Sequence, residues 1–313
     1  MVTWFDVGRP TASRPTVSLS LHLLLPLFSS FGYVAGALLL KRSSAFGVGL
    51  WRTTFIANLM HAVCLAPFWL LGPGPGTGMW WQPVVTSLLF FIGQIATFQA
   101  IERGDVSIAT PVLGTKIILV ALISSLLLPD PIPLKWWIAA ALSGVAIILL
   151  NRRPTAGMTA ARSASIGPTI LAAFGAAVAF AFCDVLVEKW APLWGAGRYL
   201  PIMFTLLAVW SFGLIPMFSA PLHKIARPAL PWLLGGSVVL GLQAAGIGFS
   251  LGVFGDATAV NVVYSARGLW SVLAVWWIGH WFKSDEQHLS AHVLRLRFWG
   301  AGLMLLAVGL VLV

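Results

Sequence analysis

Long apolar runs separated by short polar breaks dominate the chain. A helix needs about 20 apolar residues to cross ~30 Å of hydrocarbon. Ten runs approach or exceed that length, at residues 19–40, 50–71, 81–101, 106–128, 134–150, 167–187, 200–218, 230–253, 258–282 and 298–313. Connections are short, and several carry Pro and Gly, as in "GPGPGTG" at 72–78. Tryptophans gather near run ends (Trp80, Trp81, Trp136, Trp137, Trp190, Trp194, Trp299), as interface anchors do. Two longer polar stretches stand out, "NRRPTAGMTAARSAS" at 151–165 and the amphipathic "KSDEQHLSAHVLRLR" at 283–297. The pattern predicts an all-α integral membrane protein with ten transmembrane helices. It divides into an N-terminal tail at 1–17, five helices at 18–150, a linker at 151–166 and five more helices at 167–313. The first run, of about 22 residues, exceeds the 7–15 of a leader's apolar core and is read as a retained span.

Composition agrees. The 313 residues are 59% hydrophobic and 9% charged, against about 25% charged in soluble domains. The net charge of +10 could suggest nucleic acid. The basic residues are scattered singly or in pairs, however, not gathered into a stripe with interleaved aromatics, so no nucleic-acid partner is expected. The two cysteines, Cys64 and Cys183, lie inside apolar runs and read as packing residues. Twelve basic residues fall in the loops after runs one, three, five, seven and nine, and five on the other side: Arg9, Arg14, Lys135, Lys189 and Arg198. By the positive-inside rule this puts both termini outside the cytoplasm.

The two halves echo each other. A shift of 151 residues lays "GDVSIATPVLGTK" at 104–116 on "GDATAVNVVYSAR" at 255–267. Gly104 meets Gly255, Asp105 meets Asp256, Ser107 meets Thr258, Val112 meets Val263 and Lys116 meets Arg267. The segments open the fourth and ninth runs, which are equivalent places if each half has five helices. An odd number of spans forces the second half to enter from the opposite side. The fold class is thus two inverted five-helix repeats, an arrangement that places transport sites near mid-membrane at the repeat interface.

The shared start gives depth to two cations. Lys116 and Arg267 each lie eleven residues past their aspartate, roughly 16 Å along a helix. A charge at mid-bilayer costs ~2.5–3.5 kcal/mol on insertion scales. Two such costs at symmetric places suggest side chains facing a polar interior, either to hold an anionic group of a substrate or to form internal ion pairs. Asp184 and Glu188, spaced i, i+4, could supply those pairs, or serve as coupling or counter-ion groups that take a proton or release a cation. Asp105 and Asp256 read as helix caps. Asn58, His61, Gln94 and Gln243 could line a cavity or bond neighbouring helices. Pro111, five residues before Lys116, predicts a kink. "GYVAG" at 32–36 and "GFSLG" at 248–252 predict close helix packing. The second also matches G-x-S-x-G, whose hydrolytic chemistry needs a strand-to-helix elbow that a membrane helix does not offer. No metal-ligand spacing or phosphate loop is present, and neither cofactor nor metal is expected.

The pattern resembles the drug/metabolite transporter superfamily, in particular its ten-helix members with two EamA-like repeats. The residues that carry the resemblance are 102–150, from "ERGDVSIATPVLGTK" to "SGVAIILL", and "GDATAVNVVYSARGLWSVLAVWWIGHWF" at 255–282. Asp130 and the pair Gly279-His280 stand near where such repeats carry a glutamate. The resemblance implies cytoplasmic termini, opposite to the basic-residue count.

These observations predict a multi-pass protein of the inner cell membrane and a secondary transporter, not an enzyme. It would move a small polar, anionic metabolite by alternating access, with Lys116 and Arg267 as charge partners and proton coupling left open. Two alternatives stand beside it: an exporter of neutral amino-acid or amphipathic solutes, in which the cations are internally paired, and a non-transporting membrane protein. Expected partners are the small-molecule substrate and the lipid bilayer.

Overall fold

The structure is a computed structural model that describes residues 21–102, 106–151, 160–278 and 291–312. Helices account for nearly all of them, and no strand occurs among the described residues. In chain order they are α1 (Leu24–Ser44), α2 (Leu50–Leu65), α3 (Trp81–Glu102), α4 (Val106–Gly114), α5 (Lys116–Leu127), α6 (Leu134–Leu150), α7 (Ala160–Trp194), α8 (Ala196–Ser211), α9 (Leu230–Phe249), α10 (Ala257–Tyr264), α11 (Arg267–Ile278) and α12 (Ala291–Leu312).

Among the described residues, eight helices are long and apolar enough to cross a membrane. Two of the ten predicted runs fall outside that set. The fifth, α6, is an apolar helix of 17 residues. The ninth is interrupted between Tyr264 and Arg267. There the Ser265 hydroxyl donates to the Val262 carbonyl at 2.6 Å, and the Ser265 amide is shared between the Asn261 and Val262 carbonyls. A hydroxyl bonding back to the preceding turn competes with the helix ladder. The same device stands at the α4–α5 junction, where the Thr115 hydroxyl donates to the Val112 carbonyl at 2.7 Å. Pro111 lies inside α4.

The sixth run ends later than its apolar pattern suggests. Glu188 and Lys189 mark its predicted end, yet α7 continues to Trp194. Glutamate and lysine are good helix formers, so the end of the apolar pattern is not the end of the helix.

The heaviest packing joins α1 to α9, α3 to α7, α6 to α12 and α2 to α9. Each pair takes one helix from α1–α6 and one from α7–α12, so the two sets interlock; the linker expected at 151–166 is helical from Ala160 on, where α7 begins. Between α1 and α9 the approach is closest where Gly36 faces Gly236. A Cβ on either would sit 3.1 Å from the other's carbonyl oxygen and 2.9 Å or less from a leucine. In "GFSLG", Gly248 and Gly252 pack against Leu200 and Ala191, and Ser250 opens a π-helical turn with its hydroxyl donating to the Gly246 carbonyl. That local geometry is helical throughout. Cys64 and Cys183 are free thiols.

Candidate functional site

The two helix interruptions put a cation at the first position of each resumed segment: Lys116 opens α5 and Arg267 opens α11. Their surroundings differ. The Lys116 ammonium lies 2.7 Å from Asp184 Oδ2, and both side chains are largely buried. The same oxygen accepts a hydrogen bond from Asn261 Nδ2 at 2.8 Å, and Asn261 also donates to the Ala257 carbonyl at 2.9 Å. Asp184 is thereby held between α5 and α10. Phe180, one helical turn before Asp184, turns its ring toward Lys116, 5.7 Å from the ammonium.

Arg267 has an aromatic environment. Its guanidinium carbon sits 4.9 Å from the Tyr33 ring centroid and 4.8 Å from that of Tyr264, and the two rings meet edge to face. Among the described residues no carboxylate lies within ion-pair distance of it. The Tyr264 hydroxyl donates to Gln243 Oε1 at 2.9 Å, which ties this clamp to α9.

Glu188 stands apart from both cations. Its Oε1 accepts from the Asp256 amide at 2.8 Å and its Oε2 from the Ala257 amide at 2.7 Å. These are free donors at the start of α10, and a carboxylate there also complements the helix dipole. The expectation that Asp256 caps this helix through its own side chain is therefore corrected. Asp256 takes the left-handed conformation, φ 60°, and makes no capping bond. Aspartate tolerates that conformation better than most residues. Its carboxyl lies 3.9 Å from the His22 ring, which stacks on Phe254. Burial pushes the Asp256 carboxyl above the usual carboxylate range, and His22 draws it back. The matching cap at Asp105, and the Gly279-His280 pair, lie outside the described residues.

Asn58, His61 and Gln94 form a separate cluster between α2, α3 and α8. Asn58 and Gln94 exchange amide hydrogen bonds at 2.9 and 3.0 Å, and Asn58 also donates to the Ser211 hydroxyl at 2.7 Å. His61 bonds the Ala57 carbonyl and stacks on Phe204 at 5.6 Å. Phe90 touches His61, Phe204 and Phe180, so a chain of rings links this cluster to Lys116.

Asn261, Tyr33, Tyr264 and Phe180 escaped the sequence reading. Asn261 and Tyr264 lie inside the repeated segment, an asparagine and a tyrosine one turn apart in an otherwise apolar helix. That was a usable signal. Tyr33 and Phe180 carry none, because their role depends on which helices become neighbours.

Residues 17–152 match the model of the EamA-like transporter family. The EamA-like segment covers α1 to α6 and carries Asn58, His61, Gln94 and Lys116. Asp184, Glu188, Gln243 and Arg267 lie beyond it, so the Lys116–Asp184 pair joins an EamA-like residue to one outside the match. The match points to a membrane transporter with a small-molecule substrate, in a lipid bilayer, rather than to an enzyme. No curated protein matches the chain. A solved structure described only as "Crystal structure of protein" is 16% identical, with a TM-score of 0.74 over 94% of this chain and 98% of that one. At that identity the likeness shows a shared fold alone.

Proposed function

We propose that the chain is a secondary transporter of the inner cell membrane, built from two inverted five-helix halves at 18–150 and 167–313. It moves a small polar metabolite by alternating access. The carrying observation is the pair of interrupted helices, α4–α5 and α10–α11, each resuming at a cation. Discontinuous helices near the repeat interface are where such folds place substrate sites, with half-helix N-termini turned toward anionic groups. The packing supports the inverted arrangement: exchanging the halves turns the α1–α9 pair into α7–α3 and leaves α6–α12 unchanged.

Within this reading the substrate carries an anionic group, and Arg267 is its partner. Two tyrosine rings stabilise a guanidinium without cancelling its charge, so the fork of N–H donors stays usable for a carboxylate or phosphate. Gln243 fixes the clamp through Tyr264. Lys116 is balanced by Asp184 and takes the part of a coupling pair. A proton on Asp184, or a substrate group reaching Lys116, would release one from the other. Asn58, Gln94 and His61 hold α2, α3 and α8 together beside the site, and Glu188 fixes the start of α10.

One observation favours a second reading, export of neutral amino acids. A zwitterion would take both charges, its carboxylate on Arg267 and its ammonium on Asp184.

The test is uptake into proteoliposomes of carboxylates, phosphate esters and amino acids, comparing wild type with Arg267→Gln and Lys116→Gln. Loss of anion uptake in Arg267→Gln supports the first reading. Amino-acid uptake alone, lost in Arg267→Gln and kept in Lys116→Gln, supports the second. Equal transport by all three proteins would remove both cations from the site.

A further inference from the structure

Two arginines at opposite ends of the helical bundle begin from the same local design and end differently. Gly49 and Gly195 precede α2 and α8 with φ of 79° and 77°, and an arginine follows each by three residues. Arg52 is buried, and its guanidinium donates to the Gly47 carbonyl at 2.7 Å and the Ser219 hydroxyl at 3.2 Å. Arg198 is exposed, and the contact its guanidinium makes among the described residues is to the face of Trp69, 5.7 Å from the ring centroid. A guanidinium stacked on a ring keeps its in-plane N–H fork free.

Arg198 lines a cleft of about 220 Å³ whose other walls include Trp69, Trp80, Trp194, Gly78 and Ile202. The cleft is built. The Gly74 amide bonds the Trp194 carbonyl at 2.7 Å, and the Trp194 indole bonds Gln82 at 2.9 Å. Gly78 lies so close to the Trp194 ring that a Cβ there would overlap it.

The surroundings indicate what enters. The apolar spans Leu50–Leu71 and Ala196–Met217 end beside the cleft, which sets it at the membrane–water interface. Below Arg198, the outward face of α8 runs through Ile202, Thr205 and Val209, at i+4, i+7 and i+11. Val209 is 53% exposed, while Tyr199, Leu200, Met203 and Leu207 on the other face are buried. An exposed apolar stripe along a spanning helix faces lipid. Leu70, next in the chain to the cleft residue Trp69, is 89% exposed. The geometry points to an anionic phospholipid of the surrounding bilayer as the occupant, its phosphate on Arg198 between the indoles and an acyl chain along the α8 stripe. This site is distinct from the transport site and does not depend on it.

The experiment is native mass spectrometry of the whole protein released from mixed phosphatidylglycerol and phosphatidylcholine bilayers, for wild type, Arg198→Gln and Lys189→Gln. Lys189 is an exposed cation on the neighbouring end of α7. Wild type and Lys189→Gln should retain phosphatidylglycerol preferentially. Arg198→Gln should lose about fivefold of that preference, the value of one cation beside an anionic surface. Equal retention of both lipids by wild type, an unchanged preference in Arg198→Gln, or an equal loss in both variants overturns the site. Thermal stabilisation by soluble glycerol phosphate equal to that by phosphatidylglycerol would assign the cleft to a free anion and overturn the lipid.

Discussion

Lys116 and Arg267 each open the resumed segment of an interrupted helix, yet the protein keeps them by opposite means. Lys116 is met by a carboxylate that cancels its charge and is itself bonded to Asn261. Arg267 is met by two tyrosine faces that stabilise the cation and leave it charged. The difference teaches that a shared place at a helix break does not fix the electrostatics around it. A cancelled charge holds helices; an uncancelled one remains available to a ligand.

The sharpest way to break the comparison is to remove one partner of the buried pair. Asp184→Ala should lower stability by about 3–5 kcal/mol, because it strands a buried ammonium. The double variant Lys116→Met/Asp184→Leu should recover most of that, read as denaturant midpoints in detergent. Single losses that merely add would show that the pair is not coupled. Next in size is Arg267→Gln, expected to cut anion uptake at least tenfold, since a charge-assisted bond is worth ~1.5–3 kcal/mol. It should disturb stability less than Asp184→Ala does. Tyr33→Leu probes how the second cation is held. Loss of one cation–π face should cost about 1–2 kcal/mol, and a denaturant midpoint equal to wild type would remove the clamp. The smallest expected effect is Tyr264→Phe, which keeps the ring and removes the bond to Gln243, at about 1 kcal/mol. A loss as large as that of Tyr33→Leu would make the hydroxyl, not the ring, the more important group.

How much of this was legible in the sequence follows from the range of each interaction. Apolar runs and the 151-residue echo are properties of composition and spacing, and they led to Lys116, Arg267 and Asp184 directly. Glu188 and Asp256 show where local reading fails. The Gly-Asp start of the ninth run looks like its own cap, but a carboxylate 68 residues earlier takes the amide of Asp256. Nothing local records that α7 passes there. Asn58 and Gln94 stood out as polar residues in apolar helices that could line a cavity or bond a neighbouring helix; their amides bond each other. Spacing could not say that their amides face each other.

Unequal helix lengths carry a mechanical consequence. The apolar span of α7 covers 29 residues and α6 only 17, or roughly 43 Å against 25 Å at 1.5 Å per residue. One bilayer cannot match both. The long span must tilt or protrude, and the short one must draw the headgroups inward or shelter beside α12. The protein therefore presents two hydrophobic thicknesses to a single membrane. Any rotation of α7 relative to α6 would change how strongly the surrounding lipid is deformed, so acyl-chain length bears on how the two helices sit together in the bilayer.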